Sequence, residues 1–260
     1  MSVKIDTFYV TPATAKKWLE ESNTKNRPIC RAQVDRLVRF MKDGAWHFDG
    51  APIRFDKFGN LLDGQHRLTA CVEADFPFAA VVIKGLEPES FFFMDQNRPR
   101  SASDNLSIIG KTNTAHLAAA GSWVLRYKTK KGQLSPRAEK MDVVDFCSRT
   151  PKLESCVAWA AHKRGLMSKS LMAALLFIFR EIDDDQGLDF MAQITTGANL
   201  AEGSPALTFR NRVIAETSGR KRVDYTVVFA FAIYAWNSWR KGRQLKILRW
   251  NDGDDFPTAI

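Results

Sequence analysis

Apolar residues repeat with two different periods along this chain, and the change between them falls near residue 100. Before it, residues 34–41 carry apolar side chains at helical spacing and stop at Gly44, whereas residues 52–56 alternate apolar with polar. Turn composition at 57–60 and a second apolar pair at 61–62 complete the pattern of a β-hairpin. This part of the chain is therefore predicted to mix helices with strands.

Shorter segments extend the mixed pattern. Thr11 followed by Pro12 is typical of a helix N-terminus, and residues 65–73 predict another short helix. Residues 78–83 are rich in strand-forming side chains, and Pro88 opens a further short helix. The strands and helices lie close together in sequence, as in an α+β domain.

Strand patterns end near residue 100, and the rest of the chain predicts helices alone. The apolar runs at 171–179 and 227–236 fall short of the ~20 residues that a membrane-spanning helix needs, so they predict buried helices. Helix N-termini are predicted at Ser101, Asn113, Ser135, Ser168, Ser204 and Asp224. We therefore expect an α+β domain over residues 1–100, followed by an all-helical domain over residues 101–260.

Composition narrows the class of protein. Hydrophobic residues make up 45% and charged residues 26% of the chain, which are globular values and exclude wholesale disorder. The first residues lack the apolar core of a secretory signal, and the four cysteines lack metal-ligand spacing, so we expect reduced core thiols. These features predict a cytoplasmic protein without a membrane partner.

The net charge of +9 favours polyanionic partners, among them DNA. Trp236, Trp239 and Trp250 lie within or beside a basic stretch near the C-terminus, where they offer stacking surfaces for bases. The alternative is a solvated charged face over a tryptophan core. The candidate nucleic-acid contacts are Lys128, Lys130, Lys131, Arg240, Lys241 and Arg243.

Residues 60–70 concentrate polar chemistry between a strand and a helix. The N–H groups at a helix N-terminus attract anions, Gly64 lets a phosphate approach the backbone, and Arg67 is suited to bind one bidentately. His66 is a candidate hydrogen-bond donor or proton carrier, and Asp63 a candidate metal ligand or a partner that orients His66. The alternative is a hairpin leading into a helix, with Arg67 in a structural salt bridge.

Residues 46–70, with DGQHR at positions 63–67, resemble the N-terminal domain of the ParB/sulfiredoxin superfamily, in particular its phage and bacterial DGQHR branch. The resemblance extends over about residues 1–110 and implies that fold, with a helical C-terminal part. It implies that Gly64, His66 and Arg67 contact the phosphates of a bound nucleotide. We also expect Gln65 to contact these phosphates, and the ligand to be a nucleoside triphosphate with Mg²⁺. Gln65 replaces the reactive cysteine of sulfiredoxin and a glutamate of ParB, so neither sulfiredoxin redox chemistry nor ParB-type CTP switching is expected.

A second polar cluster follows at residues 95–101. Arg98 and Arg100 are candidate phosphate contacts, and Asp95 is a candidate base and, with Asp63, a candidate metal ligand. The resembling branch often carries a similar segment here, which implies that the cluster closes the site. The alternative is a basic interdomain loop that caps the helix beginning after Ser101.

The sequence leads to one hypothesis and two alternatives. The first is a nucleotide-binding protein of phage or mobile-element type, with ATPase or phosphotransferase activity on or near DNA and with Asp63, His66 and Asp95 as catalytic candidates. The alternatives are a non-catalytic DNA-binding protein and a metal-dependent nuclease that uses the same three side chains. The sequence leaves the oligomeric state open.

Overall fold

The computed structural model divides the chain into two compact units, Met1–Arg98 and Pro99–Ile260. Each unit has its own hydrophobic core. The chain is a mixed α+β protein, with a small sheet in the first unit and helices in both. The structure describes residues 2–24, 26–94, 99–135, 137–163, 166–198, 200–217, 223–251 and 253–260.

The first unit is built on a four-stranded sheet with the order β1-β4-β2-β3. Its strands are β1 (Lys4–Val10), β2 (Ile53–Asp56), β3 (Leu61–Asp63) and β4 (Phe78–Leu86). β2 and β3 form the predicted hairpin, β4 pairs parallel with β2, and β1 pairs antiparallel with β4 at the edge. The hairpin and the strand at 78–83 are confirmed, whereas β1 was not predicted.

Helices cover one face of this sheet. They are α1 (Pro12–Ser22), α2 (Arg31–Lys42) and α3 (Gln65–Ala74), and a 3₁₀ helix (Pro88–Phe93) follows β4. The Thr11 hydroxyl accepts a hydrogen bond from the N–H of Thr14, which confirms the predicted start of α1. Alternate residues of β4 are buried in one cluster with Leu68 of α3, so the core lies between the sheet and the helices.

The second unit is helical in the part that the structure describes, apart from one isolated β-bridge. Ser101, Ser168 and Asp224 cap helices with their side chains, as predicted. The predicted start at Ser135 is wrong, because the next helix begins at Lys140 after Glu139. The helices are α4 (Ala102–Ile108), α5 (Thr114–Lys128), α6 (Lys140–Arg149), α7 (Pro151–Ala161), α8 (Lys169–Ile182), α9 (Asp184–Thr196), α10 (Pro205–Thr217) and α11 (Tyr225–Arg240).

The core of the second unit is built on α8 and α11. Residues 171–179 are all buried, which confirms the prediction for that run. Trp236 of α11 stacks on Phe179 with ring centroids 4.5 Å apart, and Trp250 is also buried. These two indoles are core residues and offer no stacking surface to a base. No helix in the described ranges is both long and apolar enough to cross a membrane.

The cysteines differ in their surroundings. Cys71, Cys147 and Cys156 are buried free thiols, and burial raises the pKa of Cys71 to about 11 and that of Cys147 to about 12. The prediction of a core thiol is wrong for Cys30, which is exposed at the N-terminus of α2.

Candidate functional site

A cavity of about 270 Å³ opens at the N-terminus of α3 in the first unit. Its walls come from the loop after α1, from residues 62–66 and from the 3₁₀ helix with the residue after it. Four residues of the DGQHR motif line the cavity, whereas Arg67 does not. The motif therefore contributes to the cavity and also to the structure around it.

Gly64 is the residue from which α3 starts. Its φ of +111° lies in a region that side chains disfavour, and a Cβ at this position would lie 3.1 Å from Cγ1 of Ile53. No side chain of the described residues caps the helix at this end. The backbone N–H groups of the first turn are therefore left for water or for a ligand, as in helix N-termini that bind anions.

The Gln65 side chain is only 4% exposed and is used to position the neighbouring loop. Its Nε2 donates to the carbonyl of Arg27 at 2.9 Å, and its Oε1 accepts from Nδ2 of Asn23 at 3.4 Å. Its predicted phosphate contact is therefore limited to the backbone N–H.

The loop after α1 brings an unpredicted cation, Arg27, to the cavity wall. Nδ2 of Asn26 donates to the carbonyl of Leu61 at 2.6 Å and holds this loop beside β3. No carboxylate of the described residues lies within 4.0 Å of the Arg27 guanidinium, so none of these residues is ion-paired with it. The only sequence signal for Arg27 was a basic residue in a short polar loop between two helices.

His66 accepts a hydrogen bond at Nε2 from the N–H of Cys30 at 3.0 Å. An imidazole that accepts at Nε2 carries its proton on Nδ1, so His66 is a neutral donor at that atom. Burial and the nearby charge of Arg27 lower its pKa below the ordinary histidine value, while Asp63 opposes that shift. His66 is thus kept neutral near pH 7.

Asp63 and Arg67 form an ion-pair network with Arg54 that stabilises the structure of the motif. Oδ2 of Asp63 accepts from Arg54 at 3.0 Å and from Arg67 at 3.5 Å. The guanidinium of Arg67 also donates to the carbonyls of Ala51 and Pro52, the second at 2.6 Å. This geometry matches the structural alternative for Arg67. It also leaves Asp63 neutralised by two guanidinium groups, which makes it a poor base or metal ligand.

Three further residues were predicted for this site. Asp95 and Arg98 lie outside the described residues. Arg100 is exposed in the second unit, where its carbonyl accepts from Nζ of Lys140 at 3.2 Å. Within the ranges that the structure describes, no three His, Cys, Asp or Glu side chains come together as metal ligands.

Several predicted nucleic-acid contacts have partners within the second unit. Nζ of Lys128 lies 2.8 Å from Glu181, and Nζ of Lys130 donates to the Thr258 hydroxyl at 2.8 Å. The guanidinium of Arg240 lies 5.4 Å from the centre of the Trp236 ring. The remaining three candidates, Lys131, Lys241 and Arg243, are exposed.

Comparisons of this chain with protein-family models, with curated proteins and with solved structures found no match.

Proposed function

We propose that the first unit binds a nucleotide in the cavity at the N-terminus of α3. One observation carries the proposal: the same cavity joins an uncapped helix N-terminus and the cation Arg27 to the aromatic side chains of Phe91 and Phe92. The first two features suit phosphate, and the aromatic rings suit a base.

The phosphate end has three kinds of donor. The first-turn N–H groups of α3 carry the positive end of the helix dipole, and the N–H of a neutral His66 at Nδ1 adds a side-chain donor. Arg27 supplies a full positive charge and a planar fork of N–H groups. Together they match an anion with several oxygens and more than one negative charge.

The base end is formed by the 3₁₀ helix. Phe92 is 71% exposed although it is a large apolar side chain, and Phe91 beside it is also exposed. Stacking of a base on an exposed aromatic ring contributes about 1–3 kcal/mol and tolerates any base. This end therefore favours a nucleotide over inorganic phosphate without choosing the base.

The resemblance of residues 46–70 to the ParB/sulfiredoxin superfamily supports the same ligand, since it implies phosphate contacts at this motif. In this proposal the protein is a nucleotide-binding protein of that type, of phage or mobile-element origin, that works on or near DNA in the cytoplasm.

We propose binding without hydrolysis for the described residues, because Asp63 is held by Arg54 and Arg67 and is not free to act as a base. The described residues bring no three His, Cys, Asp or Glu side chains together that would hold Mg²⁺ by themselves. Any Mg²⁺ would therefore enter with the triphosphate, on its phosphate oxygens.

Isothermal titration calorimetry with ATP tests the phosphate end. We expect Arg27→Gln to weaken ATP binding by about 10-fold or more, because a charge-assisted hydrogen bond contributes ~1.5–3 kcal/mol. Arg149→Gln is the matched control, since it removes an exposed arginine that pairs with Asp145 in the second unit. No measurable binding of any nucleoside triphosphate to the wild type, with or without Mg²⁺, would refute the proposal.

A pair of phenylalanine variants tests the base end. Phe92→Ala should weaken ATP binding by about 5-fold or more and leave tripolyphosphate binding unchanged, because only ATP has a base to stack. Phe93→Ala is the control: this ring is 77% exposed in the same 3₁₀ helix but does not line the cavity. Equal losses in both variants would argue against stacking at this cavity.

A further inference from the structure

A second cleft in the first unit, of about 470 Å³, is lined by four lysines from four different segments. Lys4 comes from β1, Lys17 from α1, Lys57 from the β2–β3 turn and Lys84 from β4. This lysine cleft shares no lining residue with the cavity at α3. The convergence of lysines is therefore separate from the proposed nucleotide site.

Two of these lysines face each other across the sheet. Lys4 and Lys84 are direct partners in the antiparallel register of β1 and β4, so their side chains share one face. Like charges at directly opposed positions are destabilising in a free sheet. Nζ of Lys84 lies 5.7 Å from the Phe55 ring centre and 6.0 Å from that of Trp18, which places the ammonium over the aromatic floor of the cleft. An anion between the two ammonium groups would remove this repulsion.

The lysines of the cleft are only partly neutralised by the protein. Lys57 is ion-paired with Glu87 at 2.6 Å. No carboxylate in the described part of the chain lies within 4.0 Å of the ammonium groups of Lys4, Lys17 or Lys84. Three positive charges are therefore left to a ligand.

Two carboxylates also line the cleft. The Asp56 side chain is 5% exposed and accepts hydrogen bonds from the N–H groups of Phe58 and Asn60 at 2.8 Å each, so it is directed into the hairpin turn. Glu21 is the other carboxylate of the lining. One glutamate against three lysines that have no carboxylate partner among the described residues leaves the cleft positive.

We propose that the lysine cleft binds phosphate groups of a polyanion, through contacts that do not depend on base sequence. Lysine ammonium groups are compact charges that bind phosphate oxygens without the directional fork of arginine. Trp18 is covered by Lys84 and by the Phe8 ring, whose centre is 5.5 Å away, so it offers no free face to a base. The phosphates belong either to a nucleic-acid backbone or to a small polyphosphate.

The test compares two double variants of equal charge. Lys4→Gln/Lys17→Gln removes two lysines of the cleft. Lys16→Gln/Lys42→Gln removes two lysines that do not line it, of which Lys16 pairs with Glu20 one turn further along α1. All four positions are exposed, so both variants are expected to fold, and thermal unfolding checks this.

Binding of fluorescein-labelled oligo-dT is followed by anisotropy over a series of salt concentrations. Tripolyphosphate is titrated in the Arg27→Gln background, so that the cavity at α3 contributes less to the binding measured. We expect the cleft variant to bind at least one of the probes about 10-fold more weakly. For oligo-dT, the slope of log K against log salt should fall by about 2, because each lysine contributes about one phosphate contact.

A loss for oligo-dT alone identifies the nucleic-acid backbone, a loss for tripolyphosphate alone identifies a small polyphosphate, and a loss for both supports the site for phosphate in general. If the Lys4→Gln/Lys17→Gln variant binds both probes with the affinity of the wild type, the proposal is wrong. An equal loss in the Lys16→Gln/Lys42→Gln control would also overturn it, because that result would assign the effect to net charge.

Discussion

The two units of this protein use their basic and aromatic side chains in opposite ways. In the second unit, Trp236 is stacked on Phe179 in the core, and Lys128 is paired with Glu181. In the first unit, Phe92 is exposed at a cavity and Lys84 has no carboxylate partner among the described residues. A count of charges and rings therefore does not locate a binding site; exposure at a cavity and the distance to the nearest carboxylate do.

The same division runs through the DGQHR motif. Gly64 and His66 line the cavity and leave donors available to a ligand. Gln65 also lines the cavity, but its side chain, like that of Arg67, donates to a backbone carbonyl of the protein. Arg67, the cation of the motif, thus stabilises the structure around the cavity. Arg27, which comes from a loop outside the motif, lines the cavity itself.

The largest effect is expected from Trp236→Ala in the second unit. Loss of a fully buried tryptophan that stacks on Phe179 should lower the free energy of unfolding by about 3–5 kcal/mol. Urea unfolding measures this change, with Trp236→Phe as the milder control. If the variant kept wild-type stability but lost oligo-dT binding, Trp236 would contact a ligand and would not be a core residue.

Arg67→Ala should lower the free energy of unfolding by ~1–3 kcal/mol, because it leaves the carbonyls of Ala51 and Pro52 without their donor. ATP affinity, measured where the variant is folded, should stay within about twofold of wild type, since Arg67 does not line the cavity. Arg67→Lys tests whether one ammonium group can replace the two guanidinium N–H groups that bind these carbonyls. A large loss of ATP affinity at unchanged stability would place Arg67 on the phosphates.

Gly64→Ala should destabilise the first unit by about 1–3 kcal/mol, through its positive φ and the contact of the new Cβ with Ile53. Gly110→Ala is the matched control, because Gly110 also has a positive φ of +80°, but a Cβ added there would meet no atom within 4 Å. The loss at Gly64 should exceed that at Gly110. Equal losses would show that the packing on Ile53 contributes nothing.

A smaller effect is expected from the protonation of His66. Its pKa in the folded state is lowered, so the unfolded state binds the proton more readily, and stability should fall as the pH drops through the ordinary histidine value of 6.5. Unfolding measured between about pH 8 and about pH 5 should show a weaker pH dependence in His66→Gln. An unchanged dependence would mean that other groups cause it.

Local patterns were sufficient for much of the fold. The caps at Thr11, Ser101 and Ser168 depend on side chains next to their helices, and the β2–β3 hairpin depends on adjacent residues. β1 was missed because Val10 is its only buried residue, so the strand lacks the alternation that one buried face produces.

The site was harder to predict than the fold, because its contacts join residues that are distant in sequence. Nothing near Arg67 in the chain indicates that the carbonyls of Ala51 and Pro52 surround its guanidinium. The sequence likewise does not indicate that the N–H of Cys30 reaches His66, which selects the tautomer that donates from Nδ1.

The central claim is that a nucleotide binds at the N-terminus of α3, and backbone amide resonances report on it most directly. In a titration with ATP followed by NMR, the amide signals of Gln65 and His66 should shift and saturate together with that of Arg27, while those around Lys84 respond less. Saturable shifts confined to other regions, or no shifts at α3, would contradict the account.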